Sequence, residues 1–410
     1  MELDAFLWIG EKILIVILGN VLIGCFACSR HVKCTVPQTP IQCASGTLVL
    51  PLRAIHALSV LDHLHNVMKM MNPHELAKLS MCSYRLELHV KTFKRKIERL
   101  RIHFSPNGYI LELFDAMIDN STYKIEYDTS LFLFQSFPLS WFFEVSNLLL
   151  SLYTSPHIEW VFYMDQLEIK TVRQFLDTIL TGRCEMLTFY GIEISCEFLT
   201  ELMDKIPLDK TLKIEAHIPS DFRHPNALKF SGSIYKNGRW ITVDDLKSVR
   251  NVQYLHLDSN IFNCIDINRF LHYWMNCDEN MFENMELQLD DSVAIDVDVL
   301  KNDLITLQVV DQTVETCFYL KVKNHHNRRL VLCRLQICKN KKAEFTVQEA
   351  DDQQANKFEI LELLEKKKNL EEKNKDSEIS EEDRRKITME IEELMCLIIK
   401  KNKNRYIFDF

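Results

Sequence analysis

From Ser59 to Lys94 the apolar residues recur at helical spacing, interrupted by one hard joint. Leu61, Leu64, Val67, Met68 and Met71 fall three and four residues apart, which lines one face of a first amphipathic helix. The joint is Asn72-Pro73-His74-Glu75. Asn72 suits an N-cap, Pro73 the first helical position, and Glu75 the acidic place of a capping box. Leu76, Leu79, Ser83, Leu86 and Val90 then form the stripe of a second helix. At Leu100 the period drops to two. Leu100, Ile102 and Phe104 alternate with polar residues, Ser105-Pro106-Asn107-Gly108 turns the chain, and Tyr109–Phe114 is extended again. This pattern predicts a β-hairpin, repeated more loosely by Thr122–Tyr127.

From Ile158 the two periods alternate. Ile158–Met164 and Glu185–Ile194 have the pattern of strands, Lys170–Leu180 and Cys196–Ile206 that of helices. Strand starts near 158, 185 and 211 repeat at roughly 26 residues, the spacing of a leucine-rich-repeat-like solenoid. Such units stack because none buries its apolar face alone. A looser unit follows, with strands near 252 and 284. A doubly wound sheet is the rival, although a nucleotide-binding one wants glycine at its βα turns. A last hairpin is expected from Cys317–Lys323 and Leu330–Cys338, around Asn324-His325-His326-Asn327. Residues 344–410 differ in kind: Phe358–Leu370 is helical, and Ser380-Glu381-Glu382-Asp383 caps a helix. In that helix Ile387, Ile391, Leu394 and Ile398 keep coiled-coil spacing. The tail is an antiparallel helical hairpin, folded on itself or paired with another chain.

Composition narrows the function classes. At 410 residues the chain can hold two or three domains with real cores, and 47% apolar with 26% charged residues is a globular content. A net charge of −9 argues against a broad nucleic-acid-binding surface. The 13 cysteines follow no framework and their count is odd, which favours reduced thiols. Only 9 glycines are present, and no phosphate-cradling or dinucleotide fingerprint occurs. No nucleophile elbow, zincin helix or paired-carboxylate motif stands out, so the sequence points to a non-catalytic adaptor with no cofactor.

Two stretches resemble a known family. Met71-Asn72-Pro73-His74-Glu75-Leu76, Leu79-Ser80-Met81-Cys82-Ser83 and Arg85 resemble the F-box of the large nematode F-box family. Asp266-Ile267-Asn268-Arg269-Phe270-Leu271-His272-Tyr273-Trp274 resembles the Asn-x-Phe-Leu-x-x-Trp helix of its F-box-associated domain. Phe270, Leu271 and Trp274 are at helical spacing, and core packing is their expected task. The chain departs from the family twice: Leu58-Ser59 stands where Leu-Pro is usual, and Asn276-Cys277-Asp278-Glu279-Asn280 replaces a Gly-Ser-Asn loop. With the strand spacing, the resemblance gives a mixed α/β protein: it implies a helical F-box at 58–94 and an F-box-associated domain within 95–343, which the spacing predicts to be a leucine-rich-repeat-like strand/helix solenoid. The helical hairpin closes the chain. It also implies a substrate-recognition adaptor that binds the Skp adaptor, and through it a cullin, while the later domain binds a protein substrate. Leu61, Leu64, Val67, Met68, Pro73, Leu76 and Leu79 are the residues it assigns to Skp binding.

The first 57 residues lie outside that resemblance. Ala5 to Cys28 is almost continuously apolar, and its core Ile13–Cys28 is a little short of the ~20 residues a spanning helix needs. A signal anchor, a cleaved signal peptide and an apolar helix against the body compete. Glu2, Asp4 and Glu11 weaken the signal peptide. Arg30, His31 and Lys33 follow the run, which for an anchor places everything downstream in the cytosol. The anchor is favoured. Cys25, Cys28, Cys34 and Cys43 invite a zinc site, but their spacing favours unliganded or palmitoylated thiols beside a membrane. Residues 35–57 form a linker with Pro37, Pro40, Gly46 and Pro51. The alternative function is therefore a membrane-tethered interaction scaffold whose F-box is degenerate and has no ligase role.

Overall fold

Parallel and antiparallel strands both build this fold, and several of each, such as β8 and β15, alternate buried with half-buried positions. The computed structural model describes residues 84–402 apart from short stretches, together with His65, Asn66, Met68, Lys69, Met71, Leu76, Leu79 and Ser80. The stretches left out are 94, 106–107, 116–120, 129–146, 148–149, 155–156, 166, 182, 310–313, 324–327, 352–353 and 376–378. The apolar run 5–28, the cysteines at 25, 28, 34 and 43, the linker and the turn 324–327 lie outside the described residues. Among those described, no helix is long and apolar enough to cross a membrane.

Helix α1 (Tyr84–Phe93) leads into strands β1 (Arg95–Lys96), β2 (Arg99–Ser105), β3 (Gly108–Asp115) and β4 (Ser121–Asp128). After β5 (Tyr153–Thr154) come β6 (His157–Tyr163), α2 (Ile169–Thr181), β7 (Met186–Glu193), α3 (Cys196–Lys205) and β8 (Thr211–His217). The next elements are β9 (Gly232–Tyr235), α4 (Val243–Lys247), β10 (Val252–Leu257), α5 (Cys264–Asn276), β11 (Phe282–Gln288) and α6 (Val297–Lys301). The chain ends with β12 (Leu307–Gln308), β13 (Thr316–Lys321), β14 (Leu332–Ile337), β15 (Lys342–Gln348), α7 (Ala355–Asn374) and α8 (Glu381–Lys401).

Among the described residues these form a 13-stranded sheet in the order β12-β13-β14-β15-β11-β10-β9-β8-β7-β6-β2-β3-β4. Its middle is parallel: β6 to β11 lie side by side in chain order, and β2 joins β6 in the same sense. Both ends are antiparallel, β2-β3-β4 on one side and β15 against β11 on the other.

Helices α2, α3 and α5 pack on one face. Phe104, Phe162 and Phe189 stack across three neighbouring strands at 5.0 and 5.1 Å. Phe175 of α2 rests 4.2 Å from Phe104, and Phe198 of α3 lies edge-on to Phe189 at 6.4 Å. Each buried phenylalanine contributes about 2 kcal/mol of transfer free energy. Ser195 starts α3 by accepting from the Phe198 N–H, so Phe198, Leu199, Leu202 and Met203 all face the sheet. Asn263 and Asp266 close a capping box at α5, whose Phe270, Leu271 and Trp274 are buried as their spacing suggested.

The elements expected near 158–206 are present with ends shifted by a residue or so, and the expected last hairpin is β13–β14. Five strands had no counterpart in the sequence pattern: the two-residue β1, β5 and β12, and the longer β9 and β15. β9 is only Gly-Ser-Ile-Tyr. β15 crosses the 343/344 boundary at which the tail was expected, because Ala343, Phe345 and Val347 keep period two beneath the helices. The tail itself is a helical hairpin. Lys366 pairs with Glu390 at 2.7 Å and Lys401 with Glu359, so α7 and α8 run antiparallel.

Candidate functional site

Parallel strands normally lie buried on both faces and are apolar throughout. Here they alternate, Thr-Leu-Lys-Ile-Glu-Ala-His in β8 and Val-Gln-Tyr-Leu-His-Leu in β10. Phe162, Phe189 and Ile214 go under the helices, which leaves Tyr163, Tyr190 and Glu215 in register on the opposite face. A second row on that face runs Thr188, Lys213, Ile234, His256, Glu286 and Glu344. None of the helices α2 to α6 covers it.

The face is charged but largely paired across strands. At the β2 end the Arg101 Nε donates to Glu159 at 2.7 Å, and Thr188 donates to the same carboxylate at 2.8 Å. Burial opposes the Arg101 charge, yet the hydrogen bond and charge of Glu159 hold its pKa above the ordinary value. His103, between Tyr163 at 3.1 Å and Glu112 at 3.0 Å, is shifted down by burial, against the pull of Glu112. In the centre Lys213 pairs with Glu215 at 2.8 Å, which outweighs its burial and raises its pKa. Towards β15, Lys342 bridges Glu286 at 2.7 Å and Glu344 at 3.0 Å. Burial alone would raise the Glu286 pKa, but the hydrogen bonds of Lys342 and Tyr254 bring it below the usual carboxylate value.

His256 sits between two acids, with Glu286 2.9 Å from Nδ1 and Asp258 2.7 Å from Nε2. The carboxylates approach opposite nitrogens, so they do not converge on one point. No group among the described residues could hold a metal ion. Tyr254, the nearest hydroxyl, is pushed far up by burial and by Glu286, which makes it a poor nucleophile. Burial also pushes the Cys184 thiol up to about 12 and Cys333 higher still, the opposite of an activated cysteine. Half-buried tyrosine, histidine and lysine beside pre-paired ions suit non-covalent docking of a protein surface.

One end of the face is closed. Ile360, Leu361 and Leu364 of α7 and Ile398 of α8 pack on Leu307, Tyr319 and Leu332 of β12 to β14. Lys321 adds an ion pair to Glu365 at 2.6 Å, and Lys357 lies 4.6 Å over the Tyr319 ring. The helical hairpin therefore bounds this face rather than projecting from the sheet.

A groove of about 370 Å³ opens where β7, β8, β9 and β10 end, lined by Gly191, Ile192, Glu215, Ala216, His217, Lys236, Asn237, Arg239 and Ser259. Strand carboxyl ends are where open α/β sheets hold their ligands. Gly238 is fixed there by its N–H, which donates to the Asp258 carbonyl at 2.8 Å, and a Cβ on it would sit 3.1 Å from that oxygen. The motifs singled out in the sequence did not include this face or groove. The signal was present in the polar alternation of strands that their order makes parallel.

Of the residues assigned to Skp binding, Met68, Leu76 and Leu79 are buried within this chain, at 3%, 0% and 6% exposure. Leu61, Leu64, Val67 and Pro73 lie outside the described residues. Trp274, from the second matching stretch, lies under Arg328, whose guanidinium carbon is 4.7 Å from the ring centroid. Arg328 also donates to the Trp274 and Cys277 carbonyls at 2.8 and 2.9 Å, closing the end of α5.

A family described as F-box associated matches residues 222–287, which contain β9, α4, β10, α5 and nearly all of β11. An uncharacterized protein of Caenorhabditis elegans is 24% identical over 156 residues, 38% of this chain and 33% of that protein. The match thus spans about a third of the relative's length. No solved structure matches.

Proposed function

We propose that this chain, which carries an F-box-associated domain at 222–287, is a substrate-recognition subunit of a Skp–cullin ubiquitin ligase. In this reading residues 58–94 engage the Skp adaptor, with Leu61, Leu64, Val67, Met68, Pro73, Leu76 and Leu79 as the apolar set. The open sheet face holds the substrate. The chain then acts by raising the effective concentration of that substrate near the conjugating enzyme, with no chemistry of its own.

The observation that carries the reading is the family match itself. It falls on β9 to β11, whose outward residues Ile234, Tyr254, His256 and Glu286 form the middle of the open face. The consecutive parallel strands with helices on one side support a leucine-rich-repeat-like scaffold, in which that face is continuous.

Two readouts on the intact chain test the two halves. Proteins that associate with it and gain abundance on its removal should lose the association in a Tyr190→Ala/Tyr254→Ala variant with unchanged unfolding. The Skp adaptor should stay bound to that variant. Absence of the adaptor from the wild-type complex rejects the ligase reading and favours a tethered scaffold. Association that survives in the variant moves the substrate surface off the sheet face.

A further inference from the structure

The groove at the strand ends differs from the sheet face in how its charges are used. On the face, cations and anions meet at hydrogen-bonding distance. In the groove the acids are engaged and the cations are held loosely. Asp165, beside it, accepts from the Ile192 N–H with both oxygens, at 2.9 and 3.0 Å. Glu215 is taken by Lys213 at 2.8 Å, which leaves Lys236 at 3.8 Å from its other oxygen. Arg239 is 3.9 Å from Asp290. The side chains of Lys236 and Arg239 are 63% and 60% exposed, so screened contacts at these distances hold them weakly.

The same edge carries apolar side chains that nothing in the fold explains. Ile192, which lines the groove, is 80% exposed. Ile261, two residues past the groove residue Ser259, and Ile265 in the first turn of α5 are each 59% exposed. Branched aliphatic residues left in water beside loosely held cations are complementary to one kind of ligand. Its carboxylates meet Lys236 and Arg239, and its own aliphatic side chains cover the isoleucines.

We infer that this groove binds an acidic peptide segment with aliphatic anchors, and that the substrates of this chain present such a segment. The inference rests on the substrate-receptor reading and names the class of substrate. Lys236 and Arg239 select charge, Ile192 supplies the apolar contact, and the sheet face carries the remainder of the folded substrate.

Fluorescence anisotropy on the full chain tests it with three labelled peptides. One is Asp-Glu-Ile-Asp-Glu-Leu, the second replaces every acid with lysine, and the third replaces Ile and Leu with serine. The acidic aliphatic peptide should bind with an affinity that falls as salt rises, and both controls should bind at least about tenfold more weakly. Lys236→Glu/Arg239→Glu should lose about tenfold, Ile192→Ser severalfold, and Tyr190→Ala/Tyr254→Ala nothing. All five positions are exposed or half-buried, so folding is kept and checked by unchanged unfolding. Equal binding of the lysine peptide, no binding of the acidic one, or insensitivity to the charge-reversed pair overturns the inference. Such a failure leaves the receptor reading standing if the adaptor and the face-dependent associations described above remain.

Discussion

Arg101 on β2 and Glu159 on β6 meet at 2.7 Å on the sheet face opposite α2 to α6, and the arginine is the more exposed of the two. The Glu159 side chain is 5% exposed and that of Arg101 27%. The pair spans the join between the antiparallel end and the parallel middle, beside the β2–β6 ladder. Arg101→Met should therefore cost about 3 kcal/mol, because Glu159 stays buried with Thr188 as its remaining hydrogen-bond donor among the described residues. Arg101→Met/Glu159→Gln should cost clearly less than the sum of the two single changes. A urea-unfolding double-mutant cycle measures this coupling, and strict additivity would mean the pair contributes nothing.

Gly232 opens β9 opposite Thr211 of β8. A Cβ built there lies 2.5 Å from the Thr211 hydroxyl and 2.8 Å from its methyl group. Gly232→Ala is expected to lower stability by about 2 kcal/mol through overpacking. Thr211→Ala in the same chain removes both clashing atoms and should recover most of the loss. Thermal unfolding of the two variants decides the point.

His103 and Glu286 give the face two acid transitions. Burial lowers the His103 pKa from 6.5, against the opposing charge of Glu112. As pH falls below 6.5 the unfolded chain takes up this proton before the native one, so stability drops through that window. Glu286 is depressed below 4.5, so its contribution is present above that value and is lost as pH falls through its native value. The unfolding midpoint of His103→Gln should be flatter than wild type just below pH 6.5 and should still fall in the carboxylate range. Parallel curves throughout would remove His103 from the account.

Leu361 of α7 and Ile398 of α8 are both fully buried against β12 to β14. Leu361→Asp places a charge in that cluster and should release the hairpin at a cost of several kcal/mol. Hydrogen exchange should then rise in β12–β14 and in both helices, and stay low in β6–β8. A uniform rise across the sheet would show that the hairpin is integral to its core.

Much of this architecture was legible as periodicity. The apolar spacing in Cys196–Ile206 announces α3, and that of Phe270, Leu271 and Trp274 announces α5, because stripes are local. β9 was hidden because four residues starting with glycine carry too little pattern. β15 was hidden because Glu344 resembles the acidic tail, while only its partners β11 and β14 make Phe345 a core residue. The polar sheet face was the larger omission. Lys213, Tyr254 and His256 are unremarkable polar residues until strand order places them side by side. The groove needed more, since Ile192 and Arg239 come together only at the ends of separate strands. For the apolar set at 58–94, the burial of Leu76 and Leu79 means that truncating them reads folding as well as adaptor contact.

Direct binding of the purified full chain to the purified Skp adaptor therefore tests the central claim best in its unmutated form. Titration calorimetry and gel filtration should show a saturable one-to-one complex that also recruits the amino-terminal half of a cullin. Pro73→Ala should weaken it while the unfolding of the sheet domain stays unchanged. A wild-type chain that is folded yet gives neither heat nor a co-eluting complex contradicts the ligase role.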